Sequence, residues 1–293
     1  MNIWITGCAG FLGQRLAQAF KASGAHVVGI SRRFSEHVAQ SVLVDLASRN
    51  SVEAIREIVS ASGAPDVVIH AASKQPGMGT LPDFVRANVQ TTFNLLEGLR
   101  DHPPAQVIYT STLSVYPAGT SLPVNEKAPA VASQDYAATK RWGEEVMHCW
   151  KESQVTILRL PSLYGKGQAD SFIDGFARLA IRGDPIELFL RGELVRDALH
   201  VNDIVSAIRD CISKRPNTQF CLMNLGCGRP ISTMEYAEAL VAELESSSKL
   251  IKSERQPSQI NMWADITLAR RTIGFEPTEL RQSMKTYGNE LRA

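Results

Sequence analysis

GCAGFLG, residues 7–13, sets three glycines at a spacing of three between a strand-like run and a helix-like run. Before it, Asn2-Ile-Trp-Ile-Thr6 is short, apolar and rich in strand formers. After it, Phe11, Leu12, Leu16, Ala19 and Phe20 recur at helical spacing. A strand that turns into a helix through Gly7, Gly10 and Gly13 leaves the first helical N–H groups unobstructed, and such groups bind anions. Glycine permits the tight turn, lets a pyrophosphate approach the backbone and lets the helix pack closely on the strand. The stretch therefore predicts dinucleotide binding, against the alternative of a glycine-rich turn with no ligand.

The same alternation continues. His26–Ile30, Ser41–Val44, Asp66–His70, Gln106–Thr110 and Gln154–Arg159 read as strands. Val52–Ser62, Asp83–Arg100 and Gln134–Trp150 read as the helices between them. Apolar strands alternating with helices imply βαβ crossovers and a doubly wound parallel sheet of Rossmann type, an α/β fold. Beyond Arg159 the pattern is irregular: a helix over 171–182 ending at Gly183, a short strand pair over 186–194, helices over 204–213 and 233–245, and a mixed tail from Pro257. The expected division is a dinucleotide-binding domain over 1–160 and a smaller C-terminal substrate-binding lobe over 161–293, with segments around 196–225 returning to the large sheet.

At 293 residues, with 44% hydrophobic and 21% charged residues and a net charge of +1, the chain is ordinary for a globular protein. The near-neutral balance gives no reason to expect nucleic acid or an acidic membrane surface as partner. No apolar run approaches the ~20 residues of a membrane span, and the first strand lacks the charged and apolar regions of a signal peptide. Five cysteines, Cys8, Cys149, Cys211, Cys221 and Cys227, form no Cys-x-x-Cys pair. An odd count without pairs suits a reducing compartment, so a cytoplasmic protein is expected.

Tyr136-Ala-Ala-Thr-Lys140 puts a phenol and an ammonium on one helix face. A free tyrosine, with a pKa of ~10, is too weak an acid for proton exchange at neutral pH. A neighbouring cation lowers that value and makes it a usable acid/base. Upstream, Thr110-Ser-Thr-Leu-Ser-Val-Tyr116 follows a strand, where a hydroxyl could meet a substrate oxygen. Each feature alone also fits an ordinary solvated face or turn.

In order and at these separations, GCAGFLG, IHAAS (69–73), TSTLSVY (110–116) and YAATK (136–140) resemble the extended short-chain dehydrogenase/reductase family, in its nucleotide-sugar epimerase, reductase and dehydratase branch. The resemblance continues through RLPSLYGKG (159–167), RDALHVNDIV (196–205) and MNLGCGRPIS (223–232) and so covers nearly the whole chain. It implies phosphate contacts at Gly7, Gly10 and Gly13 and backbone amides at Phe11 and Leu12. It places Asp45 and Leu46 at adenine and Ala71, Ala72 and Ser73 beside the cofactor ribose. Asn88 supports the site. Thr112, Tyr136 and Lys140 are the catalytic residues by resemblance, with Lys140 also holding the nicotinamide ribose. Pro161 borders the nicotinamide, Ser162 the substrate, and Arg196 matches an arginine that holds the nucleotide diphosphate, unless it is spent on Asp197 or Asp203. A homodimer and a nucleotide-diphosphate-sugar substrate follow from the same resemblance.

Departures from the family pattern narrow the reaction. The dehydratases' Asp-Glu after the catalytic hydroxyl is Leu113-Ser114 here, which argues against 4,6-dehydration. The usual asparagine at 162 is Ser162, and the usual glycine at 91 is Thr91. The acid that closes the second strand in NAD-binding members is Ser31, followed by Arg32 and Arg33, whose forks suit a 2′-phosphate. The expectation is therefore NADP(H), with NAD(H) possible, and an oxidoreductase: an NADPH-dependent reductase of a nucleotide-linked 4-keto sugar. A nucleotide-sugar 4-epimerase with recycled NAD is the alternative, and a non-catalytic NADP(H) sensor a third.

Overall fold

A computed structural model describes residues 1–132, 134–256 and 260–293. In chain order β1 is Asn2–Thr6, β2 His26–Ser31, β3 Gln40–Leu43, β4 Val67–His70, β5 Gln106–Thr112 and β6 Gln154–Leu160. The helices among them are α1 (Phe11–Ala22), α2 (Ser51–Ser62), α3 (Leu81–Phe84), α4 (Thr91–Gly98) and α5 (Asp135–Cys149). The strand Phe220–Asn224 completes a seven-stranded sheet whose order is Phe220–Asn224, β6, β5, β4, β1, β2, β3. β1 pairs in parallel with β2 and with β4, β2 with β3, and β4 with β5. The chain winds outward from β1 through β2 and β3, then resumes at β4 on the other side of β1. In such sheets a ligand lies beyond the strand ends at this reversal. The Rossmann-type α/β reading of the sequence is the fold observed.

The strands are covered by helices because β1, β4 and β5 are buried along nearly their whole length. Trp4, Val28, Val68, Val107 and Ile157 pack one core with Ile55 and Ile58 of α2, Leu95 and Leu96 of α4 and Met147 of α5. Between α3 and α4 the chain makes a π-helical stretch, Val85–Gln90, where the sequence pattern predicts one uninterrupted helix. The wide turn holds Asn88, and single π turns of this kind recur at functional sites.

The chain divides into two compact units. The first comprises Met1–Pro117, Pro129–Arg159 and Val205–Met223, and the second Ala118–Ala128, Leu160–Ile204 and Asn224–Ala293. Residues 118–128, assigned by sequence to the dinucleotide-binding domain, thus pack with the second unit. That unit has its own core of Tyr164, Ile173, Tyr236, Leu240, Met284 and Tyr287. The expected strand pair over 186–194 does not form. Ile186–Leu188 pairs instead with Leu250–Lys252, and the chain then turns through Leu190 and Arg191, both in the left-handed region. Pro257 lies outside the described residues; past it the tail carries helices Thr267–Ile273 and Leu280–Arg292. Among the described residues no helix is long and apolar enough to cross a membrane, and no cluster of metal-ligating side chains occurs.

Candidate active site

The glycine turn does three different jobs. Gly7 has φ +71°, and a Cβ there would lie 2.8 Å from Ala72 Cα, so only glycine lets β1 run past the loop after β4. At Gly13 a Cβ would lie 2.1 Å from the Gly7 carbonyl oxygen, which fixes how closely α1 seats on the turn. At Gly10 the nearest atom to such a Cβ is that same oxygen at 3.2 Å, so this flank of the turn is otherwise open. Gly10 caps α1 with no side-chain hydrogen bond, and the first turn, with Phe11, Leu12 and Gly13, carries no acidic residue. A dipole end with free amides and no competing carboxylate fits a phosphate group.

Beside it, Ala71, Ala72 and Ser73 follow β4 and are half-buried. The Ala72 N–H donates to Thr6 Oγ1 at 3.2 Å, and Thr6 Oγ1 meets His70 Nδ1 at 2.6 Å. His70 Nε2 meets Thr92 Oγ1 at 3.0 Å, and Thr92 Oγ1 donates to the Asn88 carbonyl at 2.7 Å. Only one proton arrangement satisfies this chain. Thr92 has spent its proton on Asn88, so it must accept from Nε2–H, which leaves Nδ1 to accept from Thr6. His70 is thereby neutral, and burial with Lys140 nearby pushes its pKa down to about 3.

Asn88 is a brace. Its Oδ1 accepts the Lys74 N–H at 2.9 Å and its Nδ2 donates to Thr139 Oγ1 at 3.0 Å, tying the loop after β4 to α5. α5 carries Tyr136, half-buried with its ring edge-on to Phe84 at 6.2 Å, and Lys140, which is 1% exposed. Lys140 Nζ is buried and has no hydrogen-bond partner. Burial pushes Lys140 down to about 7 and pushes the Tyr136 phenol up to about 12. The expectation that Lys140 draws the phenol toward neutrality is thus corrected. Both side chains lose hydration, and a lysine that is itself half-deprotonated near neutral pH offsets little of that penalty.

Thr112 ends β5 and accepts the Ser114 N–H at 3.1 Å, leaving its own proton to donate. Beneath it runs a network absent from the sequence reading. Glu144, 1% exposed, accepts from Ser111 Oγ at 2.5 Å and takes the Arg159 fork at 2.9 and 2.7 Å. Arg159 also donates to the Tyr116 hydroxyl at 2.7 Å. Glu144 lies one turn beyond Lys140, and that spacing was the available signal.

Other residues singled out from sequence are more dispersed. Asp45 is exposed and accepts the Ala47 N–H, while the Leu46 side chain lies in the core. In the second unit, Pro161 and Ser162 are half-buried, the Ser162 N–H donating to the Asp197 carbonyl at 3.2 Å. Arg196, half-buried, lies 5.9 Å over the Phe172 ring. No ion pair joins it to Asp197, whose two oxygens take the Cys227 and Ala264 N–H groups at 2.6 and 2.8 Å. Asp203 accepts from Thr278.

The model of the NAD dependent epimerase/dehydratase family matches residues 3–226. Among curated proteins, UDP-glucuronate 4-epimerase 4 of Arabidopsis thaliana is 26% identical over 98% of this chain and 74% of its own length. UDP-glucuronate 4-epimerase of Thermodesulfobacterium geofontis is 26% identical over 93% of this chain and 90% of its own. Among solved structures, MoeE5 in complex with UDP-glucuronic acid and NAD superposes with a TM-score of 0.85 at 27% identity, covering 100% of this chain and 99% of that one.

These findings overturn the NADP(H) expectation: MoeE5 holds NAD, and it does so beside UDP-glucose as well as beside UDP-glucuronic acid. The local geometry supplies a reason. Arg33 donates through Nη2 to the Ala9 carbonyl at 3.0 Å, so its guanidinium braces the glycine turn. Ser31 donates to the Arg33 carbonyl, and Arg32 is exposed. The 4-keto reductase reading likewise has no support among these relatives, whose names describe epimerases.

Proposed function

Because this chain belongs to the NAD dependent epimerase/dehydratase family, we propose that it is a nucleotide-sugar 4-epimerase that recycles NAD, with a UDP-hexuronate as substrate. The observation that carries a catalytic reading is Lys140, an ammonium buried without a hydrogen-bond partner one helical turn from Tyr136. The 4-epimerase names of the relatives and the UDP-sugar and NAD of MoeE5 support the choice of reaction, substrate class and cofactor.

When bound, NAD takes up the hydride from C4 of the sugar and gives it back. The amides of Phe11 and Leu12 would receive its pyrophosphate at the open flank of Gly10, with Gly7 and Gly13 keeping that turn closed. Asp45 and Leu46 would border its adenine, Ala71, Ala72 and Ser73 would border a ribose, and Lys140 would donate to the nicotinamide ribose. Burial keeps the Tyr136 phenol protonated at neutral pH, so Tyr136 would take the proton of the sugar 4-hydroxyl only where the cationic nicotinamide ring of bound NAD offsets that burial and favours the phenolate. Thr112 donates to the same oxygen, a contact that strengthens as negative charge grows there. With the 4-keto sugar turned to its other face, Tyr136 would return the proton to O4. The net change is inversion at C4 with nothing consumed. Arg196 holds the diphosphate as a fixed fork, and Ser162 contacts the substrate. The Leu113-Ser114 pair supplies neither acid nor base for elimination.

The test is incubation of the purified chain with UDP-glucuronic acid, the product resolved by anion-exchange chromatography and net NADH followed by absorbance. The expected result is a mixture of the two C4 epimers at constant NADH. Consumption of a reduced cofactor by a 4-keto sugar, without epimerisation, would overturn the reading.

A further inference from the structure

Burying an ammonium with no hydrogen-bond acceptor disfavours its charged form. What faces Lys140 Nζ is an aromatic ring: it stands 4.1 Å from the ring centroid of Tyr109, a side chain with no exposed surface in the middle of β5. A cation over a tyrosine face is attracted by the ring quadrupole, and more strongly where water is excluded. The ring is held in place from α5. Its hydroxyl reaches the carbonyl oxygen of Lys140 at 3.4 Å, and a Cβ at Gly143 would lie 2.2 Å from that hydroxyl. α5 comes this close to β5 because residue 143 has no side chain, and the close approach brings Lys140 onto the ring.

Other groups face Lys140 from every side. His70 on β4 is neutral, its Nε2 proton given to Thr92. Tyr136 and Glu144 lie one turn either side on α5, and Arg159 on β6 already takes both Glu144 oxygens. The Glu144 carboxylate, shared with Arg159 and lying 3.6 Å from Arg141, favours the ammonium through its charge, and the direct contact at Nζ, which makes no hydrogen bond, is the Tyr109 face.

We propose that Tyr109 is a positioning residue for Lys140, its ring seating the ammonium and sustaining its charge beside Tyr136. The inference rests on the Tyr136–Lys140 reading above. Its test needs neither substrate nor turnover: the pH titration of the Lys140 side chain is followed by NMR in 13C-lysine-labelled protein, with Lys140→Met identifying the resonance. In Tyr109→Leu the midpoint falls by about one pH unit, and in Tyr109→Phe, which keeps the ring, it stays within about 0.3 unit. An unmoved midpoint in Tyr109→Leu, or an equal fall in Tyr109→Phe, overturns the proposal. Should Tyr109→Leu not fold, phenylalanines bearing one to three ring fluorines at position 109 weaken the quadrupole without changing shape. A stepwise fall supports the proposal, and a flat series overturns it. Where UDP-glucuronic acid is not turned over at all, these titrations still decide the seat of Lys140, so the two readings fail separately. In an active preparation, the pH profile of kcat/KM shifts with the midpoint.

Discussion

Two cations in this chain, Lys140 and Arg196, lose water on folding with no side-chain hydrogen bond to a carboxylate, and they differ in what they can do about it. Lys140, in the first unit, has no hydrogen bond at Nζ and is pushed down to about 7. Arg196, in the second, lies over Phe172 with Asp197 already taken by backbone amides, and burial pulls its pKa down too. A lysine yields its proton to such a site; a guanidinium does not. A tunable ammonium suits proton chemistry, whereas a permanent planar charge suits an anion that only has to be held. Under the proposed function, the difference matches the separate roles given to Lys140 and Arg196.

The largest effect expected is on turnover. Tyr136→Phe removes one hydroxyl and should lower kcat on UDP-glucuronic acid by ~10²-fold or more, with NAD affinity by calorimetry little changed. Lys140→Met should lower kcat and NAD affinity together. Near-normal turnover in Tyr136→Phe would break the comparison on its first-unit side.

Arg196→Leu should leave kcat nearly intact and raise KM by roughly 10- to 100-fold, the worth of a lost charge-assisted contact. Arg196→Lys should recover only part of that, because an ammonium cannot reproduce the fork. A loss confined to kcat would place Arg196 with the chemistry and remove the contrast.

His70 sharpens the electrostatic half. Its pKa lies about 3 in the folded chain against about 6.5 unfolded. Below about 6.5 the unfolded state binds a proton that the folded state refuses, so stability falls as pH drops from 6.5 toward 3. Lys140 carries the same sign higher up: with a folded value of about 7, its contribution rises as pH increases from 7 toward its ordinary value. In urea titrations across the acid range, His70→Asn should flatten the lower slope. An unchanged slope would remove His70 as a neutral neighbour of Lys140.

The smallest effect belongs to the second unit. Arg191 holds φ 56° and ψ 15° beside Leu190, an arrangement costly for side chains, and its ion pair with Glu254 is solvent-exposed. Arg191→Gly should raise stability by roughly 0.5–1 kcal/mol with catalysis untouched, read as a rise in Tm. A fall in kcat would show that the strained turn serves the reaction.

How far each region could be read from sequence follows from what its signals depend on. GCAGFLG, IHAAS and YAATK are local words, and the Gly7, Gly13 and Lys140 geometry matches their spacing because strand, turn and helix impose it. Arg32 and Arg33 misled because a guanidinium's partner is chosen in three dimensions: the carbonyl of Ala9, 24 residues away, takes Arg33. The Glu144–Arg159 pairing is set the same way, formed only once α5 lies against β6.

The sequence alone determined the alternation of strands and helices, the strand–turn–helix at the first glycines and the Tyr136–Lys140 spacing. Each of these is set within one or two turns of backbone, where sterics and periodicity act without distant help. Tertiary structure decided which charges meet: that Arg33 braces a turn, that Asp197 is spent on amides and leaves Arg196 unpaired, that His70 is neutral and that Lys140 rests on Tyr109. Burial and hydrogen-bond partners belong to residues brought together from far along the chain, and desolvation, which sets their proton affinities, exists only after packing has excluded the water.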